Sequence, residues 1–579
     1  MKPSLRILLL VTAFNSLAQR VYVELVDAGH DLAVGVVRDA NDMTAAVESF
    51  PPDVIVAPYL KSIIPESIWR TYTCLIVHPG IREDRGASSL DWAILRGERN
   101  WGVTVLQATA DVDAGAIWAY REFPMRLASK SALYRHEVAD AAVEAVLEAL
   151  TRFEGGGYVP KSRDRLPDIR GRFEPPMKQP DRAIDWAAPT EVVLRRLLGA
   201  DSQPGVLDTL FGERYYLFGG HREEKLGGPA GELVAQRGGA VCRATGDGAV
   251  WITHLKPANV ANTTYFKLPA TTVLKAHLAA VPKLASSSGD TGDAATYREV
   301  WYEEHNDVGY LHFEFYNGAM STQQCRTLRD AYLRARERPT GVIVLMGGQD
   351  LWSNGIDLNA IEAAASPERE SWVNIHAMND VVREITTTNS HWVISALAGN
   401  AGAGGVPLAL AADEVYARNG IVLNPHYKKM GLYGSEYWTY LLPRRVGDEW
   451  ALDLTESCLP IGTRMAKEIG LIDGVFDSDL TGFRDTIRRF AVSLTQSADS
   501  GLRLHLKRQA RQREERTKAL CAYRDEELAK MAVNFGDPRY HQSRQEFVYK
   551  RQAVGSAFRF ELSRRLAYSQ ARAYAATGP

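Results

Sequence analysis

A run of small polar residues, Lys283–Thr296 (KLASSSGDTGDAAT), limits what this chain can fold into more than any other stretch. Such residues cannot build a core and read as a flexible linker, so the chain on either side must bury its own apolar surface. Both sides carry alternating strand and helix signals, and 579 residues exceed what a single core can serve. The pattern predicts an α/β protein with units at 1–165, 166–282 and 297–579, and 283–296 as linker.

Composition removes several classes. A net charge of −2 argues against a general nucleic-acid binder, which needs a basic surplus. The five cysteines are scattered without a CxxC pair, and the thirteen histidines lack HxxxH or HExxH spacing. Neither a disulfide framework nor a metal is expected. Lys2, the run Ile7–Val11 and Ser16-Leu17-Ala18 imitate a signal peptide, but the apolar run is short and reads better as strand, turn and helix. With no stretch of 18 apolar residues, no transmembrane span is expected, and a reducing, cytoplasmic setting fits best.

In the first unit LRILLLVTA, DLAVGVVRD and DVIVAPYL read as strands separated by helical patches, so a parallel sheet is expected. The first turn, TAFNSLAQ, has no GxGxxG and gives no support to a dinucleotide site. The next strand, TCLIVHPG, ends in His78, where an open α/β sheet places its chemistry. His78-Pro79-Gly80, Arg85-Gly86, Trp92-Ala93-Ile94, Gly102-Val103-Thr104 and Asp113-Ala114-Gly115 then follow in order.

These motifs resemble the 10-formyltetrahydrofolate-dependent formyltransferase family, whose pattern reads roughly N-x-H-P-S…R-G-x-x-P…W-A-I…G-V-T…D-x-G. The resemblance covers about residues 3–125 and implies a Rossmann-like domain. It implies His78 and Asp113 as catalytic, and a folate site drawing on Ile76, Pro58, Leu60, Arg85, Gly86 and Asp111. Ile76 stands where the family has a catalytic Asn, and Ser89 where it has Pro. Ile cannot donate a hydrogen bond, so a thiolate acceptor is favoured over a primary amine. Residues 153–180 read as a surface linker. Asp181–Pro189 (DRAIDWAAP) and the short strand signals after it are similar to the C-terminal domain of the same formyltransferases, which implies a small β-barrel.

In the last unit two turns rich in small residues, Leu351–Leu358 (LWSNGIDL) and Leu397–Leu410 (LAGNAGAGGVPLAL), each follow a strand-like run. Such turns can aim two backbone N–H groups at one carbonyl oxygen. Ser353-Asn354-Gly355-Ile356-Asp357-Leu358, Ala403-Gly404-Gly405 and Asp413 resemble the crotonase, or enoyl-CoA hydratase/isomerase, superfamily. The resemblance implies that Ile356 and Gly404 bind a thioester oxygen and that coenzyme A lies along Ser353, Gly355 and Asp357. The two hydratase glutamates fall at Pro407 and His426, so the two-carboxylate hydration route is excluded. Tyr433, Ser435, Glu436 and Tyr437 occupy a Gly-broken loop nearby. Glu436 is expected to shuttle protons, with Tyr433 or His426 in support. The charged segment from Gly501 onward reads as solvated helix, and the superfamily implies C-terminal helices that cover the site.

A folate formyltransferase joined to a crotonase-like module, with the run GSEYWTYLLPRRVG, resembles a family of hydrogenase maturation factors. That resemblance implies transfer of formyl from 10-formyltetrahydrofolate to coenzyme A, then decarbonylation of formyl-CoA. The carbon monoxide would become a ligand of a NiFe-hydrogenase. An amine N-formyltransferase joined to a CoA-thioester hydrolase or isomerase, and a non-catalytic maturation scaffold, are the alternatives.

Overall fold

Six short runs build the first sheet: β1 (Arg6–Val11), β2 (Asp31–Val36), β3 (Val54–Tyr59), β4 (Thr73–His78), β5 (Asn100–Gln107) and β6 (Ile117–Pro124). In β1 every residue after Arg6 is buried, as expected for a central strand covered by helices on both faces. The computed structural model describes residues 4–161, 170–259, 265–285, 295–477, 479–549 and 559–562. β2, β1, β3 and β4 run parallel in that order, as expected. β5 and β6, whose direction was not read from the sequence, each pair antiparallel with the strand before. The Asn100–Pro124 segment therefore forms a hairpin whose turn delivers Asp113 beside the C-terminal end of β4.

A seventh strand comes from the far end of the sequence. Arg559–Leu562 pairs antiparallel with β2, setting Ala33 opposite Leu562 and Val36 opposite Arg559. Phe560 and Leu562 pack on the sheet face that also carries Leu60 and Ile76.

The second unit is an antiparallel sheet of β7 (Val206–Leu210), β8 (Glu213–Glu223), β9 (Leu233–Arg237), β10 (Ala240–Ala244) and β11 (Ala249–Pro257). Its order is β7-β8-β11-β10-β9, and among the described residues its end strands do not pair, so the barrel expected here is not closed. Helix Thr190–Ala200 packs Val193, Leu194 and Leu197 into a core shared with the first sheet. Most of the segment expected as linker, 286–294, lies outside the described residues, as do 162–169 of the earlier one.

In the third unit Val300–His305, Val308–Phe313, Val342–Leu345, Trp392–Leu397, Glu414–Arg418 and Gly474–Phe476 lie side by side in chain order, the first pair antiparallel and the rest parallel. A smaller sheet joins Leu351–Ser353, Asn400–Gly402, Val422–Asn424 and Ile461–Gly462. It sets the two small-residue turns side by side.

The units share surfaces. Val422 and Leu459 of the third belong to the core of the first. Arg418 donates to His136 Nδ1 at 2.8 Å, and His136 Nε2 lies 3.3 Å from Asp350. Burial pushes the Asp350 carboxyl upward, but His136, Arg135 and Arg126 outweigh it and hold it at about 2. Lys429 pairs with Glu561 of the tail strand at 3.0 Å. Among the described residues no helix is long and apolar enough to cross a membrane.

Candidate functional site

His78 is the last residue of β4, two positions after Ile76, so the two side chains share one face of the sheet. Only 4% of His78 is exposed. Its Nδ1 lies 3.5 Å from Asp113 Oδ2, which also accepts the Gly86 N–H at 3.2 Å. Its Nε2 meets two groups the sequence reading did not single out as partners: Asp84 Oδ2 at 3.3 Å and Ser89 Oγ at 3.2 Å. The Ser89 hydroxyl donates to the Gly86 carbonyl at 2.9 Å.

The other residues expected around the folate divide by position. Ile76 and Leu60 are half-buried and pack on one apolar cluster. Pro58 is buried within β3. Gly86 takes φ 111°, a conformation costly for residues with a side chain, and a Cβ there would lie 2.3 Å from the Glu174 carbonyl. Arg85 is tied through its backbone to Arg172 and Glu174, so the 170–175 segment walls this loop. Asp111 is exposed and its carbonyl accepts from Thr109.

In the third unit Gly355 takes φ 79°, and a Cβ built on it would lie 3.1 Å from Gly404 N. The two turns therefore touch. Met320 N–H donates to the Gly355 carbonyl and Asp357 N–H to the Met320 carbonyl, which leaves the Ile356 N–H aimed the other way. Among the described residues neither Ile356 N–H nor Gly404 N–H has a hydrogen-bond acceptor. Two adjacent unpaired donors are the makings of an oxyanion hole.

Two of the residues expected to line a coenzyme A site build the turn. Ser353 is fully buried, and its hydroxyl accepts the Gly355 N–H at 3.1 Å. Asp357 caps helix Leu358–Ala363 by accepting from Asn359 N and Ala360 N. Their side chains hold the geometry of the turn along which coenzyme A is expected to lie. Pro407 is buried in the first turn of helix Gly405–Leu410, where its missing N–H costs little. No acid stands there.

Glu436 sits against the hole. A Cβ on Gly404 would lie 2.2 Å from Glu436 Oε1. Only 2% of Glu436 is exposed, and burial, with help from the neighbouring Glu527 charge and against a hydrogen bond from Tyr427, pushes its carboxyl up to about 8. Glu436 and Tyr437 both hold left-handed φ, 61° and 60°. Such strain persists only where surrounding contacts enforce it. Asn379 Oδ1 accepts the Glu436 N–H at 2.7 Å. Glu527, fully buried, accepts from Tyr437 N, Thr439 N and Thr439 Oγ at 2.9, 2.9 and 2.6 Å. Burial raises Glu527 to about 7.

The expected supporting groups divide. The tyrosine that hydrogen-bonds Glu436 is Tyr427, at 3.1 Å, in place of Tyr433. Tyr433 packs against Trp438 and lies under the Lys530 ammonium, because its N–H is pinned to Asn534 at 2.7 Å. His426 donates through Nδ1 to the Asn424 carbonyl at 2.7 Å and faces Gly402. Helix Ser500–Thr517 buries nothing, as expected of solvated helix, whereas helix Leu520–Phe535 covers the site and supplies Glu527. A cavity of about 440 Å³ at the meeting of all three units is lined by Arg126, Arg135, Asp201, His221, Tyr316 and Asp350 among others. Among the described residues no cluster of His, Cys, Asp or Glu could hold a metal.

Comparison with known proteins matches residues 6–150 to the formyl transferase family, 176–265 to the formyl transferase C-terminal domain, and 305–555 to the enoyl-CoA hydratase/isomerase family. The chain is 46% identical to the hydrogenase maturation factor HoxX of Bradyrhizobium diazoefficiens, over 94% of this chain and 95% of that one. It superposes on HypX from Aquifex aeolicus in complex with tetrahydrofolic acid with TM-score 0.91 and 44% identity, covering 96% and 98% of the two chains. Over 35% of its length it is 30% identical to the methionyl-tRNA formyltransferase of Anaeromyxobacter dehalogenans, covering 67% of that protein.

Proposed function

The chain belongs to the HoxX and HypX family of hydrogenase maturation factors, and from that premise we propose that it makes carbon monoxide from a folate-borne formyl group in two steps. At the first site the thiol of coenzyme A attacks the formyl carbon of 10-formyltetrahydrofolate. His78 takes the thiol proton, Asp113 steadies the charge this creates, and N10 of the folate leaves with a proton. The complex of the Aquifex relative with tetrahydrofolic acid supports a folate here. Ile76 supports a thiol over an amine acceptor, because an amine needs the polar help that Ile cannot give.

At the second site the formyl oxygen of formyl-CoA is held by the Ile356 and Gly404 N–H groups. Loss of carbon monoxide then requires the formyl proton to leave carbon and sulfur to gain one. Glu436 serves both, since a carboxyl near 8 can take and return a proton at neutral pH. The observation that carries this reading is the placing of a buried carboxyl directly against Gly404, whose N–H, like that of Ile356, has no acceptor among the described residues. A hydratase needs two such acids, and Pro407 occupies the place of one. The product goes to a NiFe-hydrogenase centre, in keeping with the relatives' role.

The test is to incubate the protein with 10-formyltetrahydrofolate and coenzyme A while a haem protein reports carbon monoxide. Carbon monoxide that depends on coenzyme A is the expected result. Formylated amine in its place would favour the N-formyltransferase, and no turnover would favour the scaffold.

A further inference from the structure

Two departures from the formyltransferase pattern and one acidic residue surround one ring. Gly80 stands at the Ser of H-P-S, Ser89 at the Pro of R-G-x-x-P, and Asp84 lies between them just before Arg85. A Cβ on Gly80 would fall 2.4 Å from His78 Nε2 and 2.7 Å from Asp84 Oδ2. Glycine at that position is therefore what lets the Asp84 carboxylate reach the imidazole. Both partners are buried, Asp84 with 3% exposed.

The hydrogen bonds fix which nitrogen carries the proton. An ionised carboxylate only accepts, so the 3.3 Å contact to Asp84 requires Nε2 to donate. Ser89 agrees, because its own proton goes to the Gly86 carbonyl and its oxygen is left to accept from Nε2. A neutral imidazole that donates through Nε2 presents a bare lone pair at Nδ1. Nδ1 stands 3.5 Å from Asp113 Oδ2, a longer contact that, unlike the one to Asp84, makes no hydrogen bond.

Resting on the reading of the first site as a thiol formyltransferase, the geometry points to Asp84 as a positioning residue that locks His78 in the Nε2–H tautomer and so makes Nδ1 the base for the acceptor thiol. The step balances: S–H gives its proton to Nδ1, sulfur bonds the formyl carbon, the bond from carbon to N10 breaks, and N10 takes up a proton. Asp84, His78 and the thiol then stand in the relation of an orienting carboxylate, a histidine base and a nucleophile. Ile76 stands at the place of the catalytic Asn of amine formyltransferases in the same chain that carries this carboxylate. Base strength aimed at sulfur is thus exchanged for polarisation of the formyl oxygen.

The test compares acceptor thiols of graded acidity with 10-formyltetrahydrofolate as donor, in the full chain. Wild-type protein should transfer formyl to coenzyme A, read as formyl thioester together with the carbon monoxide released from it; if neither forms, the function proposed above fails and the role of Asp84 fails with it. Given that activity, Asp84→Asn should lower transfer to coenzyme A by about 100-fold or more, as expected when a histidine base loses its orienting carboxylate. The loss should shrink toward nothing with an acidic aryl thiol, which needs no base, and Asp84→Glu should recover part of it. Gly80→Ser keeps every charge and should give the same pattern by pushing the carboxylate off the ring. Equal losses for all thiols, or no loss, would overturn the inference. Should both variants fail to fold, histidine-selective ¹⁵N spectra of the wild-type protein decide, with Nε2–H expected for His78 and Nδ1–H overturning it.

Discussion

The two candidate sites treat their titratable groups in opposite ways. Around His78, carboxylates stand at both ring nitrogens within one short stretch of chain, Asp84 and Asp113. Around Glu436 the neighbours are apolar walls, a tyrosine, an asparagine and a second carboxyl held near 7. The first places acceptors around an imidazole, and the second resists negative charge on a carboxyl. The contrast suits the two halves of the proposed reaction: deprotonating a thiol creates a cation to be steadied, whereas decarbonylation needs an acid that keeps its proton until sulfur takes it.

The contrast can be broken most directly at Glu436. A Glu436→Gln variant removes the carboxyl that stands against Gly404, and should slow carbon monoxide release by about 1,000-fold while formyl-CoA accumulates. Carbon monoxide release at the wild-type rate would remove Glu436 from the chemistry. At the other site, Asp113→Asn should lower formyl transfer by about 100-fold and leave the consumption of supplied formyl-CoA intact. If both reactions fell together, the sites would not be separable in this way.

The smallest effect is on stability. Glu436 holds its proton more tightly folded, at about 8, than unfolded, at 4.5. The stability linked to that proton is present below about pH 4.5 and lost as the pH rises toward 8. Replacing Glu436 with Gln should therefore lessen the decline across this window by about 1.4 kcal/mol per pH unit, read from urea unfolding at several pH values. An unchanged slope would show that Glu436 is not the group being titrated.

Much of the first site is legible in the sequence because it is local: the strand carrying His78, the Arg-Gly turn and Asp113 are separated by turns that motif spacing can read. The antiparallel course of β5 and β6 is not, since apolar alternation is the same for either direction. Asp84 looks like one more charge in the run Arg82-Glu83-Asp84-Arg85, and only the fold shows it buried against the ring. In the third unit the glycine turns are legible, but the partner of Glu436 is not. Tyr427 and Tyr433 flank the same loop, and the backbone bond from Tyr433 to Asn534 decides which of them faces the carboxyl. Glu527 sits in a helix whose charge pattern reads as solvated, because one buried glutamate does not alter that average.

The tail strand bears on synthesis as well as on structure. Arg559–Leu562 occupies the edge of β2, whose own residues leave the ribosome more than 500 positions earlier. At ordinary elongation rates of about 5–20 residues per second the rest of the chain takes on the order of a minute. Throughout that interval the edge of the first sheet stays open to pairing with other chains, and unpaired edges are where nascent proteins aggregate. A chain lacking the tail strand would keep that edge open for good, so a strand made late bears on the solubility of a module finished long before it.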